Sequence, residues 1–301
     1  MNKLTEAQFQ TEEQARKFLE DIRWHNGIVC PHCGVIGEHY RLNGTAARKG
    51  LLKCKDCRKQ FSVTVGTLFE RSHIPLNKWL LAAFLMCSSK KGMSSHQLHR
   101  ILGLTYKTAW FMTHRLREAM KDPVFVRQLG GKNAIVEADE TYWGNTRSKT
   151  IEKRKGYEHK EKIFSLVERG GNVRSFHVSH VSGETLKPIL KSQVNKDTHL
   201  MTDEFGGYKD LDQYFAKHDK IGHSRGEYVR GKIYTNTIEG YFSILKRGLI
   251  GTFHHVGAQH LKRYVGEFDF RYNTRKVTDS ERTVLALQGI AGKRLTYTNV
   301  S

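Results

Sequence analysis

The segment NAIVEADETYW, residues 133–143, decides how the second half of this 301-residue chain folds. Its apolar and polar residues alternate, which predicts a β-strand. Because side chains of a strand point alternately to its two faces, Ile135, Glu137, Asp139 and Thr141 lie on the same face. Two carboxylates therefore share one side of a strand.

The residues that follow predict a hairpin, a helix and a further strand. Residues 162–169 and 173–178 have strand patterns joined by a Gly-Gly-Asn turn. A helix is predicted from about residue 183 to 194, and the strand after it, from residue 198, delivers Asp203 at its end. This order of elements is that of a ribonuclease H-like fold. The composition changes around Gly130-Gly131, so we expect this domain to begin near residue 129.

A third acidic candidate lies in TNTIEGYFSILKR, residues 235–247. Glu239 and Lys246 are seven residues apart, nearly two helical turns, so both project from one face of a helix. Asn236-x-x-Glu239 is also a capping box, in which Glu239 would only close the start of the helix. We favour a further role for Glu239, because it can converge with Asp139 and Asp203 at one edge of the sheet.

A cluster of three carboxylates indicates a bound cation. Carboxylates that share a site repel one another unless a positive charge compensates them, and oxygen ligands suit Mg²⁺ or Mn²⁺. We expect two such ions per active site, where they would activate a water beside a phosphodiester and stabilise the leaving oxygen. Lys246 would contact a phosphate as a point charge.

Four of the five cysteines form two CxxC motifs separated by 20 residues. Each motif turns two thiolates toward one ion, and two motifs complete the tetrahedral shell of one structural Zn²⁺. A redox pair or four unrelated thiols is the alternative, and it explains the two copies less well. Short strand patterns flank the motifs, so we predict a zinc ribbon with ligands Cys30, Cys33, Cys54 and Cys57.

Residues 76–120 are predicted to be helical in three pieces. The last two surround a Gly-containing turn at residues 103–105, which is typical of a helix-turn-helix. An ordinary three-helix bundle with a solvated basic face is the alternative. Residues 41–120 hold 15 Lys/Arg and 3 Asp/Glu, so they supply 15 − 3 = +12 of the net charge of +20 and favour DNA as the partner. The expected DNA contacts on the last helix are Lys107, Thr108, His114, Arg115 and Arg117.

A membrane location has no support in the sequence. The longest apolar run is nine residues, 79–87, whereas a spanning helix needs about twenty. The N-terminus lacks the apolar region of a secretory signal. We therefore expect a cytoplasmic, nucleoid-associated protein with no membrane partner.

Five motifs follow one another along the chain in the order found in a known family. They are CPHCG (residues 30–34), KCKDCRKQFSVTVGTLFERSHIPLNKW (53–79), EADETYWG (137–144), TDEFGGY (202–208) and HSRGEYVRGKIYTNTIEGYFSILKRGLIGTFHHV (223–256). They resemble bacterial DDE transposases of the insertion sequence fifteen-ninety-five family, over nearly the whole chain. The resemblance implies a zinc ribbon, a helical DNA-binding segment and a ribonuclease H-like catalytic domain in a protein that moves its own element. It maps Asp139, Asp203 and Glu239 to the catalytic acidic triad and Lys246 to the basic residue after it.

The third triad position stays open, because the family carries Asn there as well as Glu, and Asn236 lies three residues before Glu239. We assign the metal to Glu239, and capping or support of the site to Asn236. His223 is a candidate for orienting a phosphate or a carboxylate, with a purely structural role as the alternative. We expect phosphates of the DNA backbone to be contacted by Arg225, Arg230 and Lys232. Such contacts give affinity without reading the DNA sequence.

The sequence thus predicts an α+β multidomain protein. Residues 1–72 hold a helix and the zinc ribbon, residues 73–128 a helix-turn-helix-like segment, and residues 129–301 a ribonuclease H-like domain with a mixed sheet. The expected function is transposition: binding of terminal inverted repeats, phosphodiester hydrolysis and 3′-hydroxyl strand transfer into target DNA, by a dimer or larger homo-oligomer. A non-catalytic DNA-binding regulator and a nuclease that cuts without joining are the alternatives.

Overall fold

A computed structural model describes residues 3–44, 48–121, 127–144, 160–222 and 234–297. The chain divides into two compact units, Met1–Lys121 with Val277–Ser301, and Asp122–Lys276. The helices and strands, in chain order, are α1 (Ala7–Gln10), α2 (Glu12–Arg23), β1 (His39–Arg41), β2 (Leu52–Cys54), β3 (Gln60–Phe61), α3 (Leu76–Ser88), α4 (Ser95–Leu102), α5 (Tyr106–Met120), β4 (Ile135–Trp143), β5 (Glu161–Glu168), β6 (Val173–Val178), α6 (Gly183–Gln193), β7 (His199–Asp203), β8 (Lys217–Ile221), α7 (Asn236–Gly248), α8 (Ala258–Asn273) and α9 (Asp279–Gln288).

A small antiparallel sheet, β1-β2-β3, forms the ribbon of the first unit. Helix α2 starts at Glu12, because the Thr11 hydroxyl accepts the N–H of Gln14. The helix packs on the ribbon: Arg23 donates to the carbonyl oxygen of Val63. These three short strands bury few apolar side chains, so the ribbon needs a further source of stability.

The helical part of the first unit contains the predicted helix-turn-helix. Gly103 ends α4 with φ of 60°, a left-handed conformation that glycine adopts without strain. The Thr105 hydroxyl then caps α5 by accepting the N–H of Thr108 at 3.2 Å. The turn thus covers residues 103–105, as the sequence predicts.

The C-terminal segment corrects a predicted domain boundary. Helix α9 packs against α2, α3 and α5, and residues 277–301 belong to the first unit. The predicted domain of residues 129–301 is therefore too long at its C-terminal end. Ribbon and helices also fall into one compact unit, which the sequence analysis divides at residue 72.

The second unit is built on a five-stranded mixed sheet in the order β6-β5-β4-β7-β8. Strands β4, β5 and β6 pair antiparallel, whereas β7 and β8 run parallel to β4. This is the predicted ribonuclease H-like arrangement. Strand β8 completes it and is absent from the sequence prediction.

Helices cover both faces of this sheet. Val136 and Ala138 of β4 pack with Leu190 of α6 on one face. Ile163 of β5 packs with Leu245 of α7 on the other face, together with residues of α8. Strand β4 is thus enclosed, and polar side chains on it need partners within the protein. Among the described helices, none combines the length and apolarity needed to cross a membrane.

A substitution at Gly289, directly after α9, tests the placement of the C-terminal segment. A Cβ atom here would overlap the carbonyl oxygen of Ala119 in α5, which is backbone and cannot turn away. We expect Gly289→Ala to lower the free energy of unfolding by about 1–3 kcal/mol. Urea unfolding followed by tryptophan fluorescence measures this, since three of the four tryptophans lie in the first unit.

Gly44→Ala is the matched control, because a Cβ there meets open space. It should leave the urea midpoint unchanged or slightly raised. A Gly289→Ala protein as stable as the wild type would show that α9 does not approach α5 as described.

Candidate active site and zinc centre

Four cysteine thiols converge in the ribbon, and their sulfur atoms all lie within 4.8 Å of one another. The distances Cys30–Cys57 and Cys33–Cys54 are both 3.7 Å. Zinc–sulfur bonds of about 2.3 Å in a tetrahedron place sulfur atoms about 3.8 Å apart. The four thiols therefore fit a structural Zn²⁺ without rearrangement.

The environment of Cys30 favours the thiolate that a metal needs. Burial raises the pKa of this thiol, but backbone hydrogen bonds from His32 and Cys33 and the neighbouring thiols lower it to about 6. Metal ligation by cysteine requires the deprotonated form. The cluster therefore offers a thiolate near neutral pH.

Asp139 and Asp203 lie at the same level of two neighbouring parallel strands. Glu137 of β4 pairs with Met201 of β7, and each aspartate follows two residues later on its strand. Asp139 accepts the N–H of Glu140 at 2.7 Å, and Asp203 accepts the N–H of Phe205 at 3.0 Å. Register and strand direction together bring the two carboxylates to one edge of the sheet.

The carboxyl group of Asp139 has an unusual ionisation. Burial raises its pKa to about 8, the negative charges of Glu140, Asp203 and Glu239 add to the shift, and the hydrogen bond from the Glu140 N–H opposes it. Glu239 of α7 is thus near enough to act on Asp139. The acidic cluster is nevertheless open: among the described residues, only the cysteines place three or more metal-ligating atoms within 4.8 Å of one another.

Glu140 is a member of the acidic cluster that the sequence analysis missed. It accepts the hydroxyl of the buried Tyr208 at 2.6 Å. Burial raises the pKa of Glu140 to about 7, the hydrogen bond from Tyr208 lowers it, and the charge of Asp203 raises it. Alternation along a strand places adjacent side chains on opposite faces, so the sequence pattern does not group Glu140 with Asp139. Its position beside Asp139, and a tyrosine five residues after Asp203, were the available signals.

The start of α7 differs from the predicted capping box. The helix begins at Asn236, so this residue lies inside the helix and is not its cap. The cap comes from β4 instead: Glu137 accepts the N–H of Ile238 at 2.9 Å and the hydroxyl of Thr237 at 2.8 Å. The predicted capping role of Asn236 is therefore wrong.

Glu239 and Lys246 both lie on the exposed side of α7, as their spacing predicts. The hydroxyl of Thr235 donates to Glu239 Oε1 at 3.2 Å, which orients the carboxylate. Asn236 is also exposed. The exposed side of the helix thus presents an acid in its first turn and a cation in its last.

The predicted DNA contacts on α5 need correction. Lys107 is exposed and lies 4.5 Å from the centre of the Tyr297 ring, and Thr108 is half-buried. The residues further along are buried, with exposures of 0%, 7% and 0% for His114, Arg115 and Arg117.

Buried side chains cannot reach a phosphate, so the expectation for His114, Arg115 and Arg117 is wrong. The two arginines have partners inside the unit instead: Arg115 donates to the carbonyl oxygen of Glu70 and Arg117 to the hydroxyl of Thr113. The remaining predicted contacts lie outside the described residues; they are His223, Arg225, Arg230 and Lys232.

A ribonuclease H-like sheet with an acidic cluster, in one chain with a four-cysteine ribbon, defines a zinc-ribbon protein of the ribonuclease H-like class. Comparison with known families narrows this class. Residues 10–60 match the transposase zinc-ribbon domain, and residues 128–273 match the ISXO2-like transposase domain. The chain belongs to the IS1595 family of transposases, which confirms the resemblance found in its motifs.

Two relatives agree with this family. An uncharacterized protein in transposable element ISH50 of Halobacterium salinarum is 28% identical over an alignment of 273 residues that covers 87% of this chain and 91% of the relative. An uncharacterized transposase-like protein of Haemophilus influenzae is 30% identical over 100 residues, 33% of this chain and 80% of the relative. Together they support a transposase role.

Part of this chain matches a chain in a solved structure. It is a cryo-electron microscopy structure of the simian T-cell lymphotropic virus intasome in complex with PP2A regulatory subunit B56 gamma. The match has 14% identity, covers 57% of this chain and 67% of that chain, and has a TM-score of 0.30. A match with so low a TM-score carries no structural argument.

The zinc centre is tested by removing one ligand. We expect the purified wild-type protein to hold about one Zn²⁺ per chain and Cys57→Ser to lose it, because structural zinc sites need four ligands. Metal analysis measures the zinc content, and hydrogen exchange of residues 39–61 measures the accompanying loss of ribbon structure. Cys87→Ala is the control, since Cys87 is buried in α3 away from the cluster. Retention of zinc by Cys57→Ser would contradict the assignment.

The raised pKa of Asp139 makes stability depend on pH. An ordinary aspartate has a pKa of 3.8, and burial raises that of Asp139 to about 8. Ionisation therefore favours the unfolded chain, so this residue destabilises the protein increasingly as pH rises from about 4 to about 8. We expect Asp139→Asn to unfold at a higher temperature than the wild type at pH 8, by about 2–4 °C for each kcal/mol gained.

Thermal unfolding in buffer without added divalent cations measures this difference, which should vanish near pH 4. Asp197→Asn serves as the control, because Asp197 is exposed in the same unit; its melting temperature should follow the wild type across this range. An Asp139→Asn protein less stable than the wild type at pH 8 would contradict the raised pKa.

Proposed function

We propose that this chain is a DNA transposase whose acidic cluster, Asp139, Asp203 and Glu239, holds Mg²⁺ or Mn²⁺ and cuts and joins DNA. The observation that carries the proposal is the state of Asp139. Its carboxyl group is half-buried near other acidic side chains, and burial together with their charges raises its pKa to about 8. A divalent cation would compensate these charges and favour the ionised form at neutral pH.

The residues present fit such ions. Carboxylate oxygens are the ligands that hard divalent cations prefer. Bound there, the ions would lower the pKa of a water or hydroxyl group and stabilise the charge on a leaving oxygen. Asp139 and Asp203 lie on rigid neighbouring strands, whereas Glu239 lies on a helix and completes the set from the sheet face that α7 covers.

The same carboxylates can serve both chemical steps of transposition. In the first, they orient a water for in-line attack on a phosphodiester, which frees a 3′-hydroxyl group. In the second, that hydroxyl takes the place of the water and attacks a target phosphodiester. Both nucleophiles are oxygen atoms, so no covalent intermediate with the protein is needed. Lys246, exposed on the same side of α7 as Glu239, would hold a phosphate oxygen during the exchange.

The ribbon and the helix-turn-helix are proposed to bind the terminal inverted repeats. In a helix-turn-helix the N-terminal residues of the second helix contact base edges. Lys107 is exposed on the first turn of α5, and Arg100 is exposed on α4 across the turn. Because His114, Arg115 and Arg117 are buried, we place the contact at this end of α5. Two element ends must be joined to one target, so we expect two or more copies to act together on DNA.

A strand-transfer assay tests the proposal. With pre-cut ends, Mn²⁺ and a target plasmid, the wild-type protein should give joined product. Glu239→Gln should lower the rate at least about 100-fold, because it removes a charged metal ligand and leaves its shape. Asn236→Ala should stay within about threefold of the wild type, since Asn236 is exposed on the same turn. Gel analysis of the plasmid measures joining.

Binding of end DNA, measured in parallel, separates the alternatives. Loss of joining in Asn236→Ala but not in Glu239→Gln would reverse the assignment of the third ligand. Cleavage of uncut ends without joining of pre-cut ends would indicate a nuclease. Binding without either reaction would indicate a DNA-binding regulator.

A further inference from the structure

The guanidinium group of Arg169 joins the three elements that carry the acidic cluster. Arg169 follows β5, and its Nε donates to Glu137 of β4 at 2.5 Å. Its Nη2 donates to the carbonyl oxygen of Tyr234 at 2.6 Å and contacts the sulfur of Met201, on β7, at 3.0 Å. Tyr234 lies two residues before α7. The planar guanidinium group of Arg169 therefore links β4, β7 and the segment just before α7.

The carboxylate of Glu137 completes this link. It is fully buried and accepts three hydrogen bonds, from Arg169 and from the Thr237 hydroxyl and the Ile238 N–H in the first turn of α7. A carboxylate at a helix N-terminus is favoured because amide groups there lack partners within the helix. The buried carboxylate of Glu137 thus holds the start of α7 against β4. In addition, the Arg169 guanidinium lies 3.6 Å from the centre of the Tyr234 ring.

The contacts of Glu137 and Arg169 lie next to the acidic cluster along the strands. Glu137 and Met201 are paired across β4 and β7. Asp139 and Asp203 each follow two residues later on the same strands, a distance of about 6.6–6.8 Å. On α7, Glu239 is the residue after Ile238. The pair therefore contacts a residue two positions before Asp203 and a residue one position before Glu239, and Glu137 itself lies two positions before Asp139.

We propose that Glu137 and Arg169 are a positioning pair for the acidic site: they set the place of Glu239 relative to Asp139 and Asp203, so that the three carboxylates share a divalent cation. The inference rests on the proposed function. Glu239 lies on the exposed side of its helix, and without a fixed first turn that helix start would fray. A buried ion pair is weak evidence for stability, but a fixed ligand geometry needs the directional contacts that this pair supplies.

Arg169→Lys is the variant that tests the pair. Lysine keeps the positive charge beside Glu137, so folding is retained, but it lacks the planar group that reaches Tyr234 and Met201 together. The matched control is Arg271→Lys in α8. Arg271 pairs with Glu267 at 2.5 Å, with side-chain exposures of 8% and 0%, against 15% and 0% for Arg169 and Glu137.

Mn²⁺ binding is measured by the electron paramagnetic resonance signal of the free ion, and end cleavage is measured across the same Mn²⁺ concentrations. We expect Arg169→Lys to raise the half-saturating Mn²⁺ concentration about tenfold in both measurements. Saturating Mn²⁺ should restore the maximal rate to within about threefold. Arg271→Lys should leave half-saturation within about twofold of the wild type.

Glu137→Gln tests the pair from its other side, since glutamine still accepts the Ile238 N–H but carries no charge. It should also raise the half-saturating Mn²⁺ concentration. Equal shifts in Arg169→Lys and Arg271→Lys, or a lower maximal rate at unchanged half-saturation, would reduce the pair to a structural role and overturn the inference. Failure of the proposed function gives a distinct result: the wild type would bind Mn²⁺ no better than Asp139→Asn, and the inference would fall with it.

Discussion

A carboxylate on a covered strand needs a compensating partner, and β4 carries two that meet this need differently. Glu137 is neutralised inside the protein by Arg169 and by the amide at the start of α7. Asp139, on the same face two residues later, lies among further acidic groups and has its pKa raised to about 8. The first carboxylate has its partners within the protein, and the second has the raised pKa on which the proposed cation site rests.

The first unit also depends on polar and charged groups inside the protein. Its ribbon has three short strands and little apolar core, and four converging thiols form a metal site that can stabilise it instead. Its helices bury cations: Arg117 is fully buried, and the helix that carries it packs against the C-terminal helix α9. A large positive charge in the sequence is therefore not the same as a large positive surface, because some of these charges are used inside the unit.

Much of the architecture could be predicted from local patterns. Strand β6 and the turn between α4 and α5 have the predicted bounds, because alternation and capping residues act within a few positions. The burial of α5 could not be predicted in this way. Helices α3, α4 and α9 all pack against α5, and α9 comes from more than 150 residues further along the chain. The cations that a local pattern places on a surface lie inside this unit.

The sequence alone determined the spacing of the cysteines, the succession of strands β4 to β7 along the chain and the presence of Glu137 and Asp139 on one face of β4, since each depends on neighbouring residues. Only the tertiary structure decided which of these two carboxylates is structural. The partners of Glu137 are Arg169, 32 residues away, and Ile238, 101 residues away. A contact over such distances depends on how strands and helices pack, and no local pattern contains that information.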